Sequence, residues 1–139
     1  MPLLVLKNAY VTIAGASGTV DVSDHVIGIE ISSTYDIVET TVFGDVSRRR
    51  IASLADNQLS LEFNQDFASS SIEATIYPLL GTAATVNIRP VNAAVSSTNP
   101  NYSFSALITN WTPLSASVGE LLTAQVQWPI SGDITKTFV

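Results

Sequence analysis

Two stretches of strict alternation constrain this chain more than any other feature. In residues 58–65 the apolar Leu59, Leu61 and Phe63 interleave with Ser60, Glu62 and Asn64. In residues 26–33, Ile27, Ile29 and Ile31 interleave with Gly28, Glu30 and Ser32. Successive side chains of a β-strand point to opposite faces, so a period of two describes a sheet with one packed face and one polar face. Antiparallel sheets tolerate that asymmetry, whereas strands covered on both faces read as unbroken apolar runs. Weaker patterns predict further strands at 4–13, 85–91, 102–111 and 121–128, with a turn over Gly15 to Gly18.

One segment has a different period. In SSIEATIYPLLG, residues 70–81, Ser70 and Glu73 have the spacing of a capping box, and Ile72, Ile76, Leu79 and Leu80 fall on one helical stripe. This predicts a single short helix at about 70–80 that lies as a lid on the sheet. Pro78 lacks an amide donor and should end or kink the helix, and Gly81 suits the left-handed residue that follows one.

The expected fold is mainly β, an antiparallel β-sandwich or barrel-like domain, and 139 residues suit one domain with a real core. Hydrophobic residues make up 46% and charged residues only 13%, so part of the apolar surface is expected to be covered by neighbouring copies. With no cysteine there is no disulfide framework, thiolate metal site or thiol nucleophile. A formal charge of −6 opposes a broad phosphate-binding surface, because non-specific nucleic-acid affinity rests on basic residues.

Between the two alternating strands runs VETTVFGDVSRRRIASLADN, residues 38–57, which reads as part of a long inter-strand loop at about 34–57. It holds Arg48, Arg49 and Arg50, half of the chain's six basic residues, flanked by Glu39, Asp45 and Asp56. Long loops without regular structure are uncommon in compact domains and tend to be functional. The three arginines admit three readings: a nucleic-acid patch, a subunit contact or a solvated turn. The subunit contact is favoured, since no further bases or interleaved aromatics support the first and arginine's planar fork suits interfacial carboxylates. Its expected members are Glu39, Phe43, Asp45, Arg48, Arg49 and Arg50.

No reaction chemistry is legible. His25, in VDVSDHV, lies beside Asp21, Ser23 and Asp24, but the chain has no nucleophile-elbow sequence and no EF-hand glycine or distal glutamate. An Asx-type turn before a strand accounts for the segment. Gly15 to Gly18 lacks the Lys-Ser or Lys-Thr of a phosphate loop and reads as a hairpin turn. Trp111 and Trp128 each end a predicted strand; exposed they would stack on sugar rings, and buried, the favoured reading, they close the ends of the core. The chain is expected to be no enzyme and to need no cofactor or metal.

DVSDHV with its alternating strand, VETTVFGD with the arginine arm, LADNQLSLEFNQDF, SIEATIYPLLG and the closing VGELLTAQVQWPISGDIT together resemble the major tail protein of long-tailed bacteriophages. The resemblance implies a tail-tube fold whose copies form hexameric rings, stacked as a conduit for DNA ejection. It implies a place in the virion tail, synthesis in the host cytoplasm, and tape-measure, tail terminator and distal tail proteins as partners. It casts the 34–57 loop as a contact with adjoining copies, with arms at about 1–6 and 134–139 bridging rings. A capsid decoration protein and, less well supported, a carbohydrate-binding sandwich are the alternatives. A DNA conduit should be lined by polar, net negative groups, because cations would capture phosphates. Candidate lining residues are Glu30, Ser32, Glu62, Asn64, Gln125 and Gln127, although alternation alone leaves open which polar face meets the lumen.

Overall fold

The computed structural model describes residues 3–15, 18–67 and 71–138. Among these residues there are seven strands: β1 (Tyr10–Gly15), β2 (Gly18–Asp21), β3 (Val26–Glu39), β4 (Arg50–Asn64), β5 (Ala83–Arg89), β6 (Asn101–Leu107) and β7 (Thr123–Thr137). A short helix, α1 (Ile72–Ile76), precedes β5. All pairings are antiparallel, in the order β2-β1-β5-β6-β7-β4-β3. The mainly β antiparallel fold expected from alternation is the fold observed.

β7 joins the two halves of the sheet by changing partner along its length. Its residues 123–129 pair with 58–64 of β4, and from Ile130 onward it pairs with β6, Ile130 opposite Ala106 and Thr137 opposite Asn101. Pro129, which has no amide to donate, stands where β7 leaves β4, and Gly132 just beyond it takes a φ of +91°. A register shift in the β6–β7 ladder lies opposite, as expected where one strand bends between two packed sheets. Buried Asn57 fastens the bend, donating from Nδ2 to the Gly132 carbonyl at 3.0 Å and accepting from the Ser33 hydroxyl.

The inward residues of both halves meet in one core. Val11 and Ile13 of β1, Val86 and Ile88 of β5, Phe104 of β6, Val126 and Trp128 of β7, and Leu59, Leu61 and Phe63 of β4 belong to a single cluster, with Ile29 and Ile31 of β3 packed against it. Ile72, Ile76 and Leu79 enter the same cluster from the helical segment, so the lid expected from the apolar stripe is present. Burying each large apolar side chain stabilises by about 1.5–3 kcal/mol, so this cluster dominates the fold's energetics. The helix is shorter than its pattern: α1 gives way to a 3-10 turn over Tyr77–Leu79, where Pro78 removes a donor. Leu80 is exposed, unlike its stripe partners, because the turn rotates it outward. Gly81 has the expected positive φ of +87°, while Ser70 of the capping box lies outside the described residues.

Four expectations need correction. The stretch 34–57 is not an open loop: β3 and β4 stay paired out to Glu39 opposite Arg50, leaving only residues 40–49 as the turn. Backbone groups that would otherwise need water are satisfied across this ribbon. The expected C-terminal arm from Ile134 is strand through Thr137, with Thr135 opposite Ser103 and Lys136 opposite Tyr102; Val139 lies outside the described residues. Ile27 does not join Ile29 and Ile31 on the packed face, because a register shift between Val26 and Gly28 turns it outward, where it is exposed. Of the predicted strand 4–13 only the end forms β1. Leu3 to Leu6 of the expected N-terminal arm are exposed without strand pairing, and Met1 and Pro2 lie outside the described residues. The Gly15–Gly18 turn closes the β1–β2 hairpin, with those two glycines opposite each other and residues 16 and 17 outside the described set.

Candidate functional site

The six candidate lining residues come together on one surface. Leu59, Leu61 and Phe63 face the core from β4, so Gln58, Ser60, Glu62 and Asn64 face away from it. The same parity holds on β7, where Ala124, Val126 and Trp128 are buried and Gln125 and Gln127 point outward, and on β3, where Glu30 and Ser32 oppose Ile29 and Ile31. Registration turns this into rows across three strands: Gly28, Glu62 and Gln125; Glu30, Ser60 and Gln127; Ser32, Gln58 and Pro129. Gln127 Nε2 donates to Gln58 Oε1 at 2.7 Å within the face. Asn64 closes it, its Oδ1 shielded from solvent without a hydrogen-bond partner among the described residues.

The charge on this face is one-sided. Among these rows the ionisable residues are Glu30 and Glu62, with no lysine or arginine. On the other half of the sheet the matching outward positions include Arg89, which lies over the Tyr10 ring at 4.6 Å and donates to Asn101 Oδ1. The β3–β4–β7 face therefore carries acids and no base, and β3 lies at the margin of the sheet with β4 as its sole strand partner among the described residues.

The residues expected to form a subunit contact sit on the far half of the β3–β4 hairpin. From 34 to 56 every residue is exposed except partly buried Asp45. Glu39 and Arg50 are the last cross-strand pair. Beyond them Thr40 donates to the Arg49 carbonyl, and Val42 to Asp45 form a tight turn in which the Asp45 amide donates to the Val42 carbonyl at 3.2 Å. Gly44, at φ +95°, supplies the left-handed third position that such a turn requires. Asp45 Oδ2 accepts from the Val42 amide and its Oδ1 pairs with Arg49 Nε at 3.4 Å. Both groups are local, so Arg49 is a tip staple, while Arg48 and Arg50 project into solvent. Phe43 and Val46 are fully exposed, and Tyr35, Ile37, Val42, Ile51 and Leu54 are also largely uncovered.

A second exposed apolar segment is longer than the gap left between the predicted strands 102–111 and 121–128. Between β6 and β7 the chain lacks helix or strand over 108–122, and there Leu114, Val118 and Leu121 are exposed. Its first part is pinned to the core: Trp128 Nε1 donates to the Asn110 carbonyl at 2.9 Å, Trp111 Nε1 to Glu73 Oε2 at 2.6 Å, and Gln65 Nε2 to the Pro113 carbonyl at 3.0 Å. Both tryptophans are thereby accounted for. Trp128 is fully buried and Trp111 packs edge-on against Phe63, so the two do not form the exposed pair on which the sugar-binding reading relied.

The segment around His25 adopts the expected Asx turn, with the Ser23 amide donating to Asp21 Oδ1 at 2.9 Å. His25 Nε2 also meets Asp66 Oδ2 at 2.8 Å, tying the start of β3 to the segment before α1. Among the described residues no group of three or more acidic or histidine side chains is placed to hold a metal ion.

No protein-family model matches the chain, and no curated protein matches it. Its fold does have a solved counterpart. A chain in the cryo-EM structure of the anti-feeding prophage baseplate, six-fold symmetrised, superimposes with a TM-score of 0.65 over 99% of this chain and 97% of that one, at 14% sequence identity. At that identity the match is one of fold.

Proposed function

We propose that this chain is a structural virion protein of the phage-tail type, a subunit that assembles with copies of itself into six-membered rings stacked as a tube for DNA passage. The observation that carries this reading is the β3–β4–β7 face: a base-free polar surface bearing Glu30 and Glu62, bordered by the edge strand β3. A free strand edge is an aggregation hazard unless geometry closes the set, and ring closure converts it into the assembly contact. A wall that repels phosphate lets DNA pass without capture. Several uncovered apolar residues on the projecting hairpin fit burial against further copies. The fold shared with a chain of a six-fold symmetrised prophage baseplate supports the same class of assembly.

On this reading the anionic half of the sheet lines the lumen, and the half that carries Arg89 faces outward. Negative-stain microscopy and sedimentation of concentrated protein test it. Rings or tubes are the expected result, and a monomer that persists at high concentration overturns it.

A further inference from the structure

The sheet has a direction, and its two ends are unlike. β4 runs from the hairpin tip at Arg50 to Asn64, a distance of about 45 Å at the usual rise of a strand. At the Asn64 end β7 begins, Thr123 opposite Asn64, and the Gln65 amide donates to the Leu122 carbonyl at 3.1 Å. Exposed Leu114, Val118 and Leu121 therefore sit at the opposite end of the same three strands from exposed Phe43 and Val46.

Charge divides in the same way. Residues 39–50 carry three arginines against Glu39 and Asp45, a net +1, whereas residues 109–122 carry one glutamate and no base, a net −1. Arg48 and Arg50 are exposed, with the tip's aspartate already engaged by Arg49. Glu120, also exposed, accepts from the Ser117 amide at 3.2 Å and lies between Val118 and Leu121 in the sequence.

We infer that the hairpin tip of one copy seats on the 114–121 loop of the next, Phe43 and Val46 against Leu114, Val118 and Leu121, and Arg48 and Arg50 toward Glu120. This rests on the self-assembling reading above and goes beyond it by naming the receiving surface and the direction of the contact. Two different patches at opposite ends of one strand axis make a head-to-tail interface, which propagates along that axis instead of closing on itself. Stacking then depends on the hairpin and the 114–121 loop, and lateral closure depends on the β3 edge.

Because the chain has no cysteine, single cysteines report the contact cleanly. Phe43→Cys and Val118→Cys proteins, one carrying a size tag, are mixed under conditions in which wild type assembles and are treated with a short bismaleimide. The expected product joins one of each variant in excess over like-with-like pairs. In parallel, Arg48→Glu with Arg50→Glu should raise the concentration needed for assembly by about tenfold, and adding Glu120→Arg should restore it. Circular dichroism of each variant checks that it is folded. Assembled material without the mixed product, or a charge-reversed variant that Glu120→Arg leaves unassembled, overturns this docking while the tube reading stands. A wild type that never assembles removes both.

Discussion

Leu61 and Asn57 are near neighbours on β4, and they hold the fold by different physics. Leu61 is buried in the common core, and its truncation leaves a cavity that the surrounding strands cannot fill. Leu61→Ala should cost about 2–5 kcal/mol. Asn57 is as enclosed, but its partners, the Gly132 carbonyl and the Ser33 hydroxyl, belong to exposed residues that can turn to water. Asn57→Ala should cost about 1 kcal/mol, the net worth of hydrogen bonds exchanged for hydration. Urea unfolding of the two variants separates these values, with the midpoint moving and the slope unchanged in each case. A larger loss for Asn57→Ala than for Leu61→Ala would mean that the β7 bend, and not the core, limits stability.

The β3–β4 hairpin divides into a half that belongs to the core and a half that does not. Replacing residues 36–54 with Asn-Gly joins Tyr35 to Ala55, which already face each other, through a two-residue turn that suits the twist of paired strands. Since 34–56 holds no buried side chain, this truncation should shift stability by no more than about 0.5 kcal/mol while abolishing assembly. Unfolding with the near-ultraviolet circular dichroism lost would instead make the ribbon part of the domain. The same division explains what could be read from sequence. Alternation at 58–65 was legible because one face is buried and every second residue had to be apolar. Alternation fails in 34–56 because both faces are exposed, so nothing forces apolar residues onto one parity, and a paired ribbon looks like a loop. Ile27 obeyed the pattern and still missed the core, since a bulge one residue away changes parity without any compositional sign. The six face residues were found because their parity is the complement of the core's. The connection at 112–120 falls between two predicted strands, but its full extent over 108–122 was not legible. Residues 108–111 and Leu121 with Leu122 read as continuations of strands that end at Leu107 and begin at Thr123.

If the chain builds the proposed tube, the question at the scale of the particle is which half of the sheet would face DNA, and reversing charge tests it. Glu30 and Glu62 occupy neighbouring rows on adjacent strands, so replacing both with lysine inverts the face without touching the core. Each copy then moves from a formal −6 to −2, two acids having become two bases, and a six-membered ring gathers twelve new cations around its axis. Lysines that neutralise phosphates release the counterions condensed on DNA, so the affinity they create falls steeply as salt rises. Tubes of Glu30→Lys with Glu62→Lys should therefore retain double-stranded DNA at low ionic strength and release it as salt is added, whereas wild-type tubes retain none under either condition. Lysines on an outer wall would also attract DNA, so location is read by nuclease: DNA held inside the lumen is protected, and DNA on the outer surface is digested. Retention with protection places the β3–β4–β7 face on the channel. Retention with digestion places it on the outside, and the wall of the channel must then be the half of the sheet that carries Arg89.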